Sequence, residues 1–148
     1  MITELLKIAT IPAVTCPETA PISQASRAMA EHGVGCVVVV DADKHVTGML
    51  TDRDIAVRAV GSGKGPKTAV SEVMSRSVVS VGSNASTLDA VRQMAARQCR
   101  RLPVVDETGG VLGVVSLDDL FRAEGEIVTE MNRLLDTQWQ SHRRLHLY

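Results

Sequence analysis

Aromatic side chains make up only 2% of the 148 residues, and Phe121, Trp139 and Tyr148 all lie beyond Leu120. Any ligand bound by the earlier part of the chain must therefore be gripped by aliphatic side chains and backbone, not by ring stacking. Cysteine is scarce too. Cys16, Cys36 and Cys99 cannot all pair within one chain, and the lack of any C-x-x-C unit argues against a zinc cluster or a thioredoxin-type site. Buried free thiols in a reducing cytoplasm are the expectation. Charge of one sign is lacking as well: the net charge of −1 argues against general affinity for nucleic acid or anionic membrane. The longest wholly apolar run, Cys36 to Val40, is far too short to span a bilayer. Met1 to Lys7 lacks the basic start, apolar middle and cleavage site of a signal peptide, so the expected localisation is cytoplasmic. Catalytic signatures are missing too. There is no Gly-x-Ser-x-Gly elbow and no His-Glu-x-x-His, and the four histidines are scattered. The reading is a non-enzyme.

What is present is ordinary globular material, 45% hydrophobic and 22% charged. At this length the chain can bury roughly 68–70% of its unfolded surface, enough for a core without staples. The stretch that organises it is Gly48-Met49-Leu50-Thr51-Asp52-Arg53-Asp54, followed by the helical pattern Ile55 to Val60. The same grammar returns 65 residues on, at Gly113-Val114-Val115-Ser116-Leu117-Asp118-Asp119. A strand running into a helix N-terminus presents backbone N–H donors and a positive dipole end. A Thr or Ser there can bond a phosphate or ribose oxygen, and an Asp one helical turn on can accept from ribose hydroxyls. Thr51-x-x-Asp54 and Ser116-x-x-Asp119 are also acceptable capping boxes, and the two roles are compatible.

In chain order, residues 3–9 read as a short amphipathic helix capped by Thr3, with Thr68 to Met74 as its counterpart. Pro12, Pro17 and Pro21 make the next segment extended, with a short strand at Ala13-Val14-Thr15 and its equivalent at Ser77 to Val81. Ile22 to His32 reads as a helix stopped by Gly33, and Cys36 to Val40 as a strand covered on both faces. After a turn, His45 to Leu50 is the next strand, and the helix after Thr51 carries to about Val60. Gly61 to Pro66 is a connector; it lacks the Walker spacing of a phosphate loop. The second pass gives a helix from Asn84 or Ser86 to near Gln98, then strands Arg101 to Val105 and Val111 to Val115.

Ungapped superposition of residues 20–55 on 85–120 gives 11 identities in 36, where chance gives about two or three. With its helix–strand–turn–strand order, the Leu102-Pro-Val-Val-Asp106 strand and both Gly-x-x-Thr/Ser-x-x-Asp segments, the chain resembles a tandem of CBS domains, a Bateman module. It is similar to small stand-alone bacterial stress-associated CBS proteins. The resemblance implies an α/β (α+β) fold: two β-α-β-β-α repeats about a pseudo-twofold axis. The corresponding division is residues 1–65, 66–122 and a helical extension at 123–148. It implies clefts that bind adenosine-containing ligands: AMP, ADP, ATP and, in some members, S-adenosylmethionine or NAD(H). By position Thr51 and Ser116 contact ribose or phosphate, Asp54 and Asp119 hold the ribose hydroxyls, and Arg100-Arg101 touch phosphates. The first repeat has Gly35 and Cys36 in place of that arginine pair, so the clefts are chemically unequal; Arg53 partly compensates. The resemblance puts the base on the backbone of Val14-Thr15-Cys16 and Val79-Ser80-Val81, flanked by Val37 and Leu102. It also implies a homodimer and an unidentified protein partner for the signal.

Beyond Leu120, Ile127, Met131, Leu134, Leu135 and Trp139 keep helical spacing, a stripe that completes a core or a dimer interface. His142 and His146 sit at a metal-capable spacing without a nearby acid, so no metal site is expected.

Overall fold

The computed structural model describes residues 3–123 and 131–136. Its sheets are one design made twice. In the first, β1 (Thr15–Cys16) runs parallel to β2 (Cys36–Val40), which pairs antiparallel with β3 (Val46–Thr51). In the second, β4 (Val81–Gly82), β5 (Arg101–Val105) and β6 (Val111–Ser116) repeat that order and sense. The registers match at the same offset: Val39 faces Gly48 as Val104 faces Gly113, and both ladders slip at the following residue. The parallel crossovers are α2 (Ile22–His32) and α4 (Thr87–Arg97). Ser86, not Asn84, caps α4 in a reciprocal box with Asp89, whereas α2 begins at Pro21 with no side-chain cap.

The unbroken apolar run of β2 is explained by what covers it. Val37 and Val39 face the core under α2 with Ala25, Met29 and Leu50. Cys36, Val38 and Val40 face the other way, into a seam with Met49, Val78, Val111 and Val114. That seam joins the two sheets. On β5, Leu102 and Val104 similarly enter the core of the second half, with Ala90, Val91 and Met94.

Each core is finished by a segment from the other end of the repeat order. Leu5 of α1 (Glu4–Ile8), which precedes the first repeat, is fully buried in the second core with Val81, Leu102 and Leu120. Thr3 caps α1, accepting from Leu6 N, and its own hydroxyl donates to the Ser83 carbonyl. Val70, Val73 and Met74, which precede the second repeat, are buried in the first core. Antiparallel backbone bridges pin both exchanges at equivalent places, Thr10 to Val114 and Ser75 to Met49. Residues 131–136 are helical, and Met131 and Leu134 close the second core; Ile127 and Trp139 lie outside the described residues.

Four elements differ from expectation. The first strand sits at Thr15–Cys16 rather than Ala13 to Thr15, and its equivalent at Val81–Gly82 rather than Ser77 to Val81. The counterpart of α1 is a single 3-10 turn, Val70–Glu72. The helix after Thr51 is one turn of α-helix, α3 (Asp52–Asp54), which widens into a π-helix over Ile55–Ala59 and tightens into a 3-10 turn at Val60–Ser62. Finally α5 (Leu117–Ala123) follows Ser116. No helix among the described residues is long and apolar enough to cross a membrane.

Candidate functional site

Thr51 and Ser116 are the last residues of β3 and β6, and both form complete capping boxes. Asp54 N donates to Thr51 Oγ1 at 3.1 Å, and Thr51 N donates back to Asp54 Oδ2 at 3.0 Å. Asp119 N donates to Ser116 Oγ at 3.1 Å, while Ser116 N and Ser116 Oγ donate to Asp119 Oδ2 at 2.8 and 2.6 Å. In each box one carboxylate oxygen is spent on the cap. The other remains for a second partner, since a carboxylate offers about four acceptor positions. At Asp54 that oxygen, Oδ1, meets Arg58 Nε at 3.5 Å; residue 123, the equivalent of Arg58, is an alanine. Arg58 also donates to Val73 O and Ser75 Oγ, tying the motif to the exchanged segment.

The glycines of the motif serve packing. A Cβ on Gly48 would lie 2.8 Å from both Ser75 O and Met74 Sδ, and one on Gly113 would lie 2.6 Å from Thr10 O. The crossing strap passes too close for any side chain.

Two cavities open where the halves meet. The first, about 430 Å³, is walled by Met49, Thr51 and Asp54 of the first half and by Ser77, Val78, Val79, Arg97, Cys99, Arg100 and Arg101 of the second. The second, about 240 Å³, takes Ser116 and Asp119 from the second half and Ala13, Val14 and the turn Gly33 to Cys36 from the first. Each cleft thus joins the hydroxyl–carboxylate pair of one repeat to the pre-helix segment of the other. The arginine pair sits opposite Thr51 and Asp54, and Gly35-Cys36 sits opposite Ser116 and Asp119.

Arg101 lines both cavities. Its Nη2 lies 3.1 Å from the point a Gly35 Cβ would occupy, so the missing side chain at Gly35 gives the guanidinium its room. Arg100 pairs at 3.6 Å with Asp118, an exposed contact of small weight. Burial pushes the Cys36 thiol up; Arg101 opposes the rise, and Asp52 and Asp119 add to it. Burial also raises Cys99 and takes Cys16 up to about 11.

Of the remaining sequence candidates, Val14 and Val79 line the clefts. Cys16, Val37, Val81 and Leu102 are buried in the two cores. Thr15 and Ser80 are half-buried and line neither cavity, and Arg53 is exposed outside both. Arg76, Arg97, Asp118 and Arg122 line the clefts without having been singled out from sequence. Arg97 carried a signal, as the last-turn cation of a helix ending three residues before Arg100.

A CBS-domain sequence profile matches residues 4–61 and again residues 70–126. The chain belongs to the CBS-domain family. Among relatives of this CBS pair, the CBS domain-containing protein YhcV of Bacillus subtilis is 46% identical over 99 residues, 67% of this chain and 69% of that protein. Protein MK0525 of Methanopyrus kandleri is 35% identical over 101 residues, 68% of this chain; the match spans about half of that relative, 52% of its length. Among solved structures, the CBS domain pair of protein MJ0100, in complex with 5′-methylthioadenosine and S-adenosyl-L-methionine, superposes with a TM-score of 0.73 at 25% identity. That match covers 82% of this chain and 95% of the other.

Proposed function

We propose that this CBS pair is a non-enzymatic regulatory module that binds adenosine-containing ligands, AMP, ADP or ATP foremost, in the two clefts between its repeats. The observation that carries this reading is the pairing within each cleft. A ribose-sized hydroxyl–carboxylate couple from one repeat, Thr51/Asp54 or Ser116/Asp119, faces the pre-helix segment of the other, with Val78 and Val79 or Ala13 and Val14 in the wall. Val79 and Val14 offer the flat aliphatic contact that an adenine needs in a chain with almost no aromatics. The ligand complexes of the MJ0100 pair support the same chemistry, adenosine with a variable 5′ group. No cofactor is required in this reading.

A ligand held between the halves bears on both, so its differential affinity for two arrangements of the repeats, or of a homodimer of them, is the signal passed to a protein partner. The test is thermal unfolding with and without saturating AMP, ADP, ATP, S-adenosylmethionine or NADH. Ligand at about 100 times its Kd adds about 2.7 kcal/mol of stability and raises Tm by roughly 5–11 °C. Asp54→Ala and Asp119→Ala should each remove part of that rise. An unchanged Tm with every ligand sinks the adenosine reading.

A further inference from the structure

The two clefts are built alike in backbone but not in charge. In the larger one, Arg76, Arg97, Arg100 and Arg101 line the wall with one carboxylate, Asp54. Arg76 pairs with Glu18 at 3.2 Å and Arg100 with Asp118 at 3.6 Å, so Arg97 and Arg101 carry most of its uncompensated charge. In the smaller one, Arg101 and Arg122 stand against Asp118 and Asp119. The first lining is net cationic and the second is balanced. Size runs the same way, about 430 Å³ against about 240 Å³. Arg101 belongs to both linings, and its guanidinium makes no hydrogen bond and no ion pair among the described residues.

We propose that the clefts sort adenosine ligands by the charge of their 5′ group: the Thr51/Asp54 cleft takes phosphorylated adenosine, and the Ser116/Asp119 cleft takes adenosine carrying a neutral or cationic 5′ substituent. This rests on the adenosine reading above and deepens it. A polyphosphate in the first cleft meets guanidinium groups suited to bidentate contact with its oxygens. A polyphosphate in the second meets the carboxylates of Asp118 and Asp119, which offset the attraction of Arg101 and Arg122. A thioether fits that balanced lining without charge mismatch, and a sulfonium is attracted to Asp118 and Asp119.

Arg101 sets the contrast because it adds its charge to both sides. Removing it lowers the positive charge of the first cleft and turns the second net negative. A single substitution then moves two ligands in opposite directions, which loss of packing alone does not do.

The experiment is calorimetric titration of the whole chain with ATP, 5′-methylthioadenosine and S-adenosylmethionine, on the wild type and on Arg101→Met. With wild type, saturating ATP should leave a site for methylthioadenosine. Raising salt should weaken ATP binding and leave methylthioadenosine binding unchanged. In Arg101→Met, ATP affinity should fall about three- to tenfold, S-adenosylmethionine affinity should rise by a similar factor, and methylthioadenosine should hold. Mutual displacement of ATP and methylthioadenosine from one common site in the wild type overturns the sorting, whatever the variant does. A fall in affinity for all three ligands in Arg101→Met overturns the role of Arg101. Absence of binding by all three in the wild type removes the adenosine reading itself, an outcome distinct from the other two.

Discussion

Gly113 stands directly against the backbone of Thr10, so close that a Cβ on the glycine would lie 2.6 Å from the Thr10 carbonyl oxygen. Around this contact Thr10 N donates to Val114 O at 2.8 Å and Val114 N donates to Thr10 O at 3.0 Å. Gly48 and Ser75 repeat the arrangement, with Ser75 N to Met49 O at 2.9 Å and Met49 N to Ser75 O at 3.0 Å. The glycine that looks like part of a ligand motif is a place for the crossing strap.

Gly113→Ala should therefore destabilise the protein by about 1–3 kcal/mol, a fall in Tm of roughly 2–12 °C. The obstacle is backbone, which has no rotamer to escape into. Thermal unfolding of the variant checks this. A Tm equal to wild type would mean that the strap does not cross there.

The exchange of segments makes the N-terminal helix a part of the second core. Leu5→Ala should cost about 2–5 kcal/mol. By hydrogen exchange, the loss of protection should appear first in β5, β6 and α4 rather than in β2 and β3. Loss confined to the first half would place α1 in the wrong core.

Ser116→Ala removes the acceptor for Asp119 N while leaving the Asp119 carboxylate in place. Stability should fall by about 0.5–2 kcal/mol. Binding at the Ser116/Asp119 cleft should weaken as well, since a freed carboxylate is less well aimed at ribose. Thr at this position should restore both. A variant that loses stability but binds normally would leave the box as a cap alone.

Acidification should loosen the turn between β5 and β6. The Asp106 carboxylate accepts from Thr108 Oγ1 at 2.6 Å, Thr108 N at 2.8 Å and Gly110 N at 3.0 Å. The hydroxyl contact first, then the backbone donors, hold its pKa below the usual carboxylate range. A depressed folded-state value contributes stability above the ordinary carboxyl pKa, and that contribution is lost as pH falls through the lowered value. Asp106→Asn, which cannot titrate, should show a shallower decline of Tm between about pH 5 and pH 2. Parallel curves for the two proteins would contradict this assignment.

Thiol chemistry offers a report on both cores and clefts. Burial raises all three cysteines, Cys16 to about 11, so the folded protein at pH 8 should be alkylated far more slowly than the unfolded chain. Cys99 and Cys36 line the two clefts, and a ligand in each should slow its own cysteine further. Labelling of Cys16 as fast as in denaturant would contradict its burial.

Much of this was legible in the residues. The run Cys36 to Val40, with no polar alternation, announced a strand covered twice, and Val37 and Val38 do face opposite cores. The offset of 65 announced a duplicated unit, and even the slipped register repeats with it. The exchange of Leu5 and Val70 between halves was not legible, because an amphipathic segment shows that it has a buried face but not which core receives it. For the same reason Arg100 and Arg101 could be read as a basic pair, while their position opposite Thr51 and Asp54 follows only from how the halves dock. The π-turn at Ile55–Ala59 was hidden too, since a π-helix and an α-helix draw on the same side chains.

Occupancy of the clefts is the central claim, and calorimetric titration of nucleotide-stripped protein tests it most directly. With AMP, ADP, ATP, S-adenosylmethionine and NADH as ligands, the account predicts micromolar binding by at least one. One site should be lost in Asp54→Ala and the other in Asp119→Ala. Absence of heat with every ligand, together with an unchanged melting temperature at saturation, would contradict it and leave both motifs as helix caps.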